Sequence, residues 1–159
     1  MSKVAPPAIL DTNVASFILS GRAEAALYEH DLRGRRRLIA FQTEAELLAG
    51  ADIRGWSGRR RASLTRFLKS VTTVYPTLAT SRAYAHHRAA LEHVGEPMET
   101  ADLWIAATAL AAGITLIAHD AAFRRSPGCA WSATRRSEAA PAAADRARYA
   151  LACPCLSLT

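Results

Sequence analysis

The chain has 159 residues, half of them apolar and 21% charged, which is enough for one domain with a buried core and is the composition of an ordinary soluble protein. No apolar run approaches the roughly 20 residues that cross a membrane, and Met1 to Leu10 is too short and too proline-rich for a signal peptide, so a cytoplasmic protein is expected. The formal net charge of +6 favours a polyanionic partner such as nucleic acid, although surplus surface arginine gives the same number.

Ala8 to Leu10 is a short apolar run that stops at Asp11, which predicts a buried strand followed at once by polar Thr12 and Asn13. Val14 to Leu19 predicts a short helix stopped by Ser20-Gly21, and Ala23 to Leu32 a second. Leu38 to Phe41 predicts a strand, and Thr43 to Ala51 a helix weakened at its end by Gly50 and Gly55. Arg59 to Ser70 sets Leu64, Phe67 and Leu68 among Arg and Lys, an amphipathic helix. Thr72 to Tyr75 is β-prone and halted by Pro76. Ser81 to Val94 predicts a helix ended by Gly95. Asp102 to Ala112, rich in Ala and Leu, predicts another, with Thr100 as its N-cap and Gly113 as its stop. Ile114 to Ala118 is a β-branched strand opening into His119-Asp120. Strands alternating with helices predict a parallel sheet covered by helices, whose sites form beyond the carboxyl ends of the strands. Beyond Ser126 the texture changes to Ala, Arg, Pro and Ser without a period, which predicts a poorly packed tail with one short helix near Pro141 to Leu151. Cys129, Cys153 and Cys155 all fall there, at spacings that suit neither a disulfide framework nor a zinc site.

Four acids stand in apolar or helix-forming surroundings: Asp11 after Ile9-Leu10, Glu46 before Leu47-Leu48, Asp102 in the first turn of an Ala/Leu helix, and Asp120 after Leu116-Ile117-Ala118. Each alone has an ordinary reading, as a turn residue, a surface acid or a helix-dipole partner. Gathered together, they would repel and take up protons unless cations neutralised them. Hard divalent ions do this well, because Mg²⁺ and Mn²⁺ prefer oxygen ligands. Carboxylates, such an ion and a basic surface point to phosphodiester hydrolysis.

Four stretches in order, Leu10-Asp11-Thr12-Asn13-Val14, Glu46-Leu47-Leu48-Ala49-Gly50, Asp102 to Leu110 and Thr115 to Phe123, resemble a PIN domain, and within it the VapC-type toxins of toxin–antitoxin pairs. The resemblance runs to about Gly128. It implies a three-layer α/β/α fold with a four- or five-stranded parallel sheet over residues 1–128. It also implies a Mg²⁺- or Mn²⁺-dependent endoribonuclease, a homodimer, and a cognate VapB-type antitoxin. The metal-binding and catalytic acids it implies are Asp11, Glu46, Asp102 and Asp120, with Thr12 helping to orient them. Glu44 is the rival to Glu46; two residues apart on a helix they diverge by about 200°, so both cannot face one site. Many relatives carry Thr or Ser where this chain has Ala118. Residues 129–159 do not resemble the relatives' final strand, and the abrupt change after Gly128 suggests an out-of-frame reading of a GC-rich gene near codon 128. A second class of function is a catalytically weak PIN-fold binding module that acts mainly through its antitoxin.

Arg35 to Arg37, Arg59 to Arg61, Arg66 and Lys69 offer phosphate contacts, a solvated face or an antitoxin surface. His86, His87 and His93 are read as surface or packed histidines, His119 is given no catalytic role, and Trp56 and Trp104 are read as packing residues.

Overall fold

In the strand Ala5–Leu10 (β1), alternate side chains leave the backbone on opposite faces, and over Ala8, Ile9 and Leu10 both faces are buried. Ala8 and Leu10 join one apolar cluster, whereas Ile9 joins another. Asp11 breaks the run and caps helix α1 (Thr12–Ser20), which ends at Gly21 with φ +62°, a left-handed conformation that costs a side-chain-bearing residue energy. The computed structural model describes residues 5–125 and 131–132.

The rest of the order is a 3₁₀ turn Ala23–Tyr28 running into α2 (Glu29–Leu32), β2 (Arg35–Ala40), α3 (Phe41–Ile53), α4 (Gly58–Ser70), β3 (Thr72–Val74), α5 (Leu78–His93), α6 (Thr100–Ala112), β4 (Thr115–Ile117), a 3₁₀ turn Ala121–Arg125 and β5 (Trp131–Ser132). The five strands lie in the order β3-β2-β1-β4-β5, every neighbouring pair parallel. Leu10 pairs with Ile39 on one side and Ile117 on the other, so β1 is central. The chain builds outward from β1 through β2 to β3, then returns to lay β4 against β1's free edge. The strand order therefore reverses between β1 and β4, the position where open α/β sheets form their crevice.

The layers follow from the two apolar clusters. Ala8, Leu10, Ile39 and Ile117 pack against Val14 and Ala15 of α1, Tyr28, Leu32 of α2, Leu47 and Ala51 of α3, and Leu64 and Phe67 of α4. Ile9, Leu38, Ala40, Leu116 and Ala118 pack on the other side against Ile105, Ala106 and Ala109 of α6. Leu91 and Met98 close against Leu103 and fix α5 on α6. This is the expected three-layer α/β/α arrangement with a parallel sheet.

Several boundaries differ from the expectation for local reasons. Phe41, read as the end of a strand, starts α3. The helix expected over Ala23 to Leu32 is a 3₁₀ turn followed by a single α turn; Arg22 supplies no side-chain cap, and such short pieces readily tighten. Helix α5 begins a turn before Ser81, because Thr77 and Thr80 cap each other reciprocally. Thr100 is not the N-cap of α6. Glu99 holds that place, and its carbonyl accepts from the Leu103 amide at 2.9 Å. Gly113 does end α6, at φ +64°. Strand β5 lies in the segment where no strand was expected, with Trp131 and Ser132 in register with Leu116 and Ile117. The three cysteines, the helix expected near Pro141 to Leu151 and the remainder of 129–159 lie outside the described residues.

Candidate metal centre

Asp11 sits at the carboxyl end of β1, and its amide donates to the Ile117 carbonyl at 3.0 Å. The β1–β4 ladder thus continues one residue past the strand and carries Asp11 to the switch point. Its side chain is almost fully buried, at 2% exposure. Oδ1 accepts from the Val14 amide at 2.7 Å and Oδ2 from the His119 amide at 2.9 Å. The first bond is an N-cap, which fixes the rotamer and sets the carboxylate on the positive end of α1. Burial pushes the Asp11 pKa up; the bonds from Val14, His119 and Asp120 amides oppose that rise without cancelling it.

Glu46 arrives from α3, the helix after β2. The Thr12 hydroxyl donates to Glu46 Oε2 and also lies 3.2 Å from the buried Thr43 hydroxyl, while Gln42 Nε2 reaches Oε1 at 3.5 Å. The rival acid turns away: Glu44 accepts from the Tyr75 hydroxyl at 3.1 Å, beyond β3, and this bond raises the Tyr75 pKa.

Asp102 enters from the first turn of α6. Burial first, and then the charges of Asp120, Asp11, Glu46 and Glu99, push its pKa up to about 6. Three carboxylates from parts of the chain far apart in sequence, Asp11, Glu46 and Asp120, therefore act on Asp102. Asp120 is exposed at the rim, and its Oδ1 accepts from the Ala122 amide at 2.8 Å as it starts the 3₁₀ turn. A cleft of about 520 Å³ opens beside Asp102 and Asp120, with Pro97, Met98, Glu99 and Arg88 on its walls.

Among the described residues, no three His, Cys, Asp or Glu side chains are already drawn to ligating geometry. The donor set nonetheless suits a hard cation. All four donors are carboxylate oxygens, and Asp102 stays protonated up to about pH 6 because it is partly buried and, after that, because its neighbours share its sign. A divalent ion placed among them would remove that repulsion. The sequence did not reveal the part played by His119: its main-chain N–H anchors Asp11, and every residue type but proline can supply an amide. Its ring is engaged elsewhere, with Nδ1 2.6 Å from the buried Tyr28 hydroxyl and its edge on Phe17. Thr43 was legible in principle, since it lies three residues before Glu46 on the same helix face.

The other singled-out residues divide. Trp104 is a packing residue, stacked on Tyr84 at 4.2 Å between centroids and meeting Phe41 edge-on. Arg61 bonds Asp52 at 2.7 Å and the Ala51 and Trp56 carbonyls, so it clamps α4 to the end of α3. Arg59, Arg60, Arg66, Lys69, Arg36 and Arg37 are exposed. His87 is buried, with its Nδ1 unpartnered. Among the described residues, no helix is long and apolar enough to cross a membrane.

The fold recurs in solved toxin–antitoxin structures. VapBC2 from Rickettsia felis, bound to a DNA fragment from their promoter, is similar with a TM-score of 0.72 at 22% identity, covering 81% of this chain and 98% of that one. VapBC-1 from nontypeable Haemophilus influenzae gives 0.70 at 26%, covering 82% and 98%. DNA-bound VapBC from Salmonella typhimurium gives 0.70 at 22%, covering 82% and 99%. No curated protein matches the chain. The PIN domain profile matches residues 8–128, the span that carries all four strand-end and helix acids, and the chain belongs to the PIN domain family.

Proposed function

We propose that the chain is the toxin of a toxin–antitoxin pair and acts as a metal-dependent endoribonuclease at the crevice between β1 and β4. The observation that carries this reading is the gathering of Asp11, Glu46 and Asp120 around the half-buried Asp102: burial, and after it the charges of these neighbours, raises Asp102 to about 6. Surfaces without a ligand for such a cluster rarely keep one, since repulsion and desolvation both oppose it. Membership of the PIN family and the likeness to VapBC complexes support the toxin role and a VapB-type antitoxin as partner. A homodimer is expected on the same grounds.

Asp11 and Asp102 are assigned as direct ligands of Mg²⁺ or Mn²⁺, with Glu46 completing the set and Asp120 holding a second ion or a water. Such an ion, when bound, supplies an activated water and stabilises charge on the phosphate oxygen. The protein's own part is orientation. The Val14 and His119 amides lock both Asp11 oxygens, and Thr12 holds Glu46 toward the crevice. Asp120, the most exposed acid, stands at the entrance where water and substrate arrive.

The test is cleavage of a single-stranded RNA oligonucleotide with Mg²⁺ or Mn²⁺. We expect cutting that EDTA stops and that Asp11→Asn and Asp102→Asn each abolish. Wild-type rates in either variant would overturn the assignment. An unaltered chain that binds its antitoxin but cuts nothing would favour the binding-module reading, and preference for a matched DNA strand would change the substrate.

A further inference from the structure

The cleft beside Asp102 and Asp120 poses an electrostatic problem for the substrate just proposed. Asp102, Asp120 and Glu99 line it, and a phosphodiester entering there meets three charges of its own sign. Among the described residues on its walls, Arg88 is the single cation. Arg88 lies one turn beyond Tyr84 on α5, and Tyr84 is stacked on Trp104 of α6. Residues four apart share a helix side. That side of α5 faces α6, and Arg88 stands near the α6 N-terminus, where Asp102 begins. Its Nε is 2.9 Å from Glu92 Oε1, and its side chain is 42% exposed. The Glu92 contact engages one edge of the guanidinium. The Nη1–Nη2 edge has no hydrogen bond among the described residues. A planar fork held on one edge and open on the other suits two oxygens of a phosphate.

We propose that Arg88 binds a phosphate of the RNA backbone next to the scissile one and holds the strand in the crevice against the repulsion of its acids. This rests on the nuclease reading above. The exposed arginines of α4 cannot substitute, because α4 packs on the opposite face of the sheet from α5 and α6. Arg88 therefore contributes to substrate binding, and the carboxylates to the chemical step.

The experiment is steady-state cleavage of one single-stranded RNA by the unaltered chain, Arg88→Gln, Arg88→Lys and Glu92→Gln, each between 50 and 200 mM salt (about the range over which phosphate contacts are read), with thermal melting alongside. Arg88→Gln is expected to raise KM about tenfold or more with kcat little changed, and to flatten the slope of log(kcat/KM) against log salt by about 0.7, the value for one phosphate contact on a single strand. Arg88→Lys should restore the slope but only part of KM, and Glu92→Gln should keep the wild-type slope. An Arg88→Gln enzyme with unaltered KM and slope would overturn the assignment, as would a loss that appears in kcat alone or tracks a lowered melting temperature. A chain that cuts no RNA at all would instead overturn the nuclease reading, and the Arg88 assignment with it.

Discussion

The crevice between β1 and β4 and the outer face of α4 both carry dense charge, but they hold it under opposite conditions. On α4, Arg59, Arg60, Arg66 and Lys69 are exposed, where water solvates each cation, and Arg61 is paired with Asp52. At the carboxyl ends of β1 and β4, Asp11 is 2% exposed, and Asp102 nearby is held at about 6 by burial and by its acidic neighbours. One face places charge where it is cheap, and the other concentrates like charge where it opposes folding. The difference is what the metal-centre proposal predicts: the acids beside Asp102 carry an electrostatic cost that a bound cation would relieve, while the α4 cations need no such explanation.

Removing the crevice charge should therefore affect function far more than removing the α4 charge. The largest effect is expected for Asp11→Asn, which keeps the side-chain shape but not the anion. Its RNA cleavage should fall about 100-fold or more, since several kcal/mol of transition-state stabilisation depend on the bound ion. Asp102→Asn should also lose cleavage yet gain stability. A carboxyl whose folded pKa is raised is fully stable only below the unfolded value near 3.8, and that stability is lost as pH rises through about 6. At pH 7.5 without metal, urea titration should find the variant about 1 kcal/mol more stable, after discounting for partial exposure. The gain should vanish near pH 4.

A smaller effect tests the positioning of Glu46. Thr12→Val removes the hydroxyl bond while keeping the β-branched shape, and cleavage should drop about tenfold with a stability change near 1 kcal/mol. His87 sharpens the comparison from outside the crevice. Burial, with a lesser contribution from the charge of His86, lowers its pKa to about 4. A base with a lowered folded pKa contributes stability in full above 6.5 and loses it as pH falls toward 4. Between pH 7.5 and 5 the unaltered chain should lose about 2 kcal/mol more than His87→Leu, measured by urea midpoints. The smallest effect is expected on α4: Arg59→Gln and Arg60→Gln should each change stability by less than about 0.5 kcal/mol.

Much of this contrast was legible before folding. Apolar runs that stop at Asp11 and Asp120 identified two strand ends, and a parallel sheet puts such ends together. The 200° divergence of Glu44 and Glu46 meant that the two would find different partners: Glu46 accepts from Thr12 and Glu44 from Tyr75. Hidden from the sequence were contacts made by the main chain, such as the His119 amide on Asp11, and neighbourhoods that only packing creates, such as the cleft that Arg88 and Asp102 both line. The short strand Trp131–Ser132 was also missed, because two residues of backbone pairing leave no periodicity to read.

The central claim is that four carboxylates converge to share a divalent cation. Isothermal titration of Mn²⁺ into the unaltered chain, Asp11→Asn and Asp102→Asn tests it without any substrate. We predict binding by the unaltered chain, weakened at least about tenfold in each variant, which is about 1.4 kcal/mol. Equal affinity in all three, or no binding by the unaltered chain, would contradict the account.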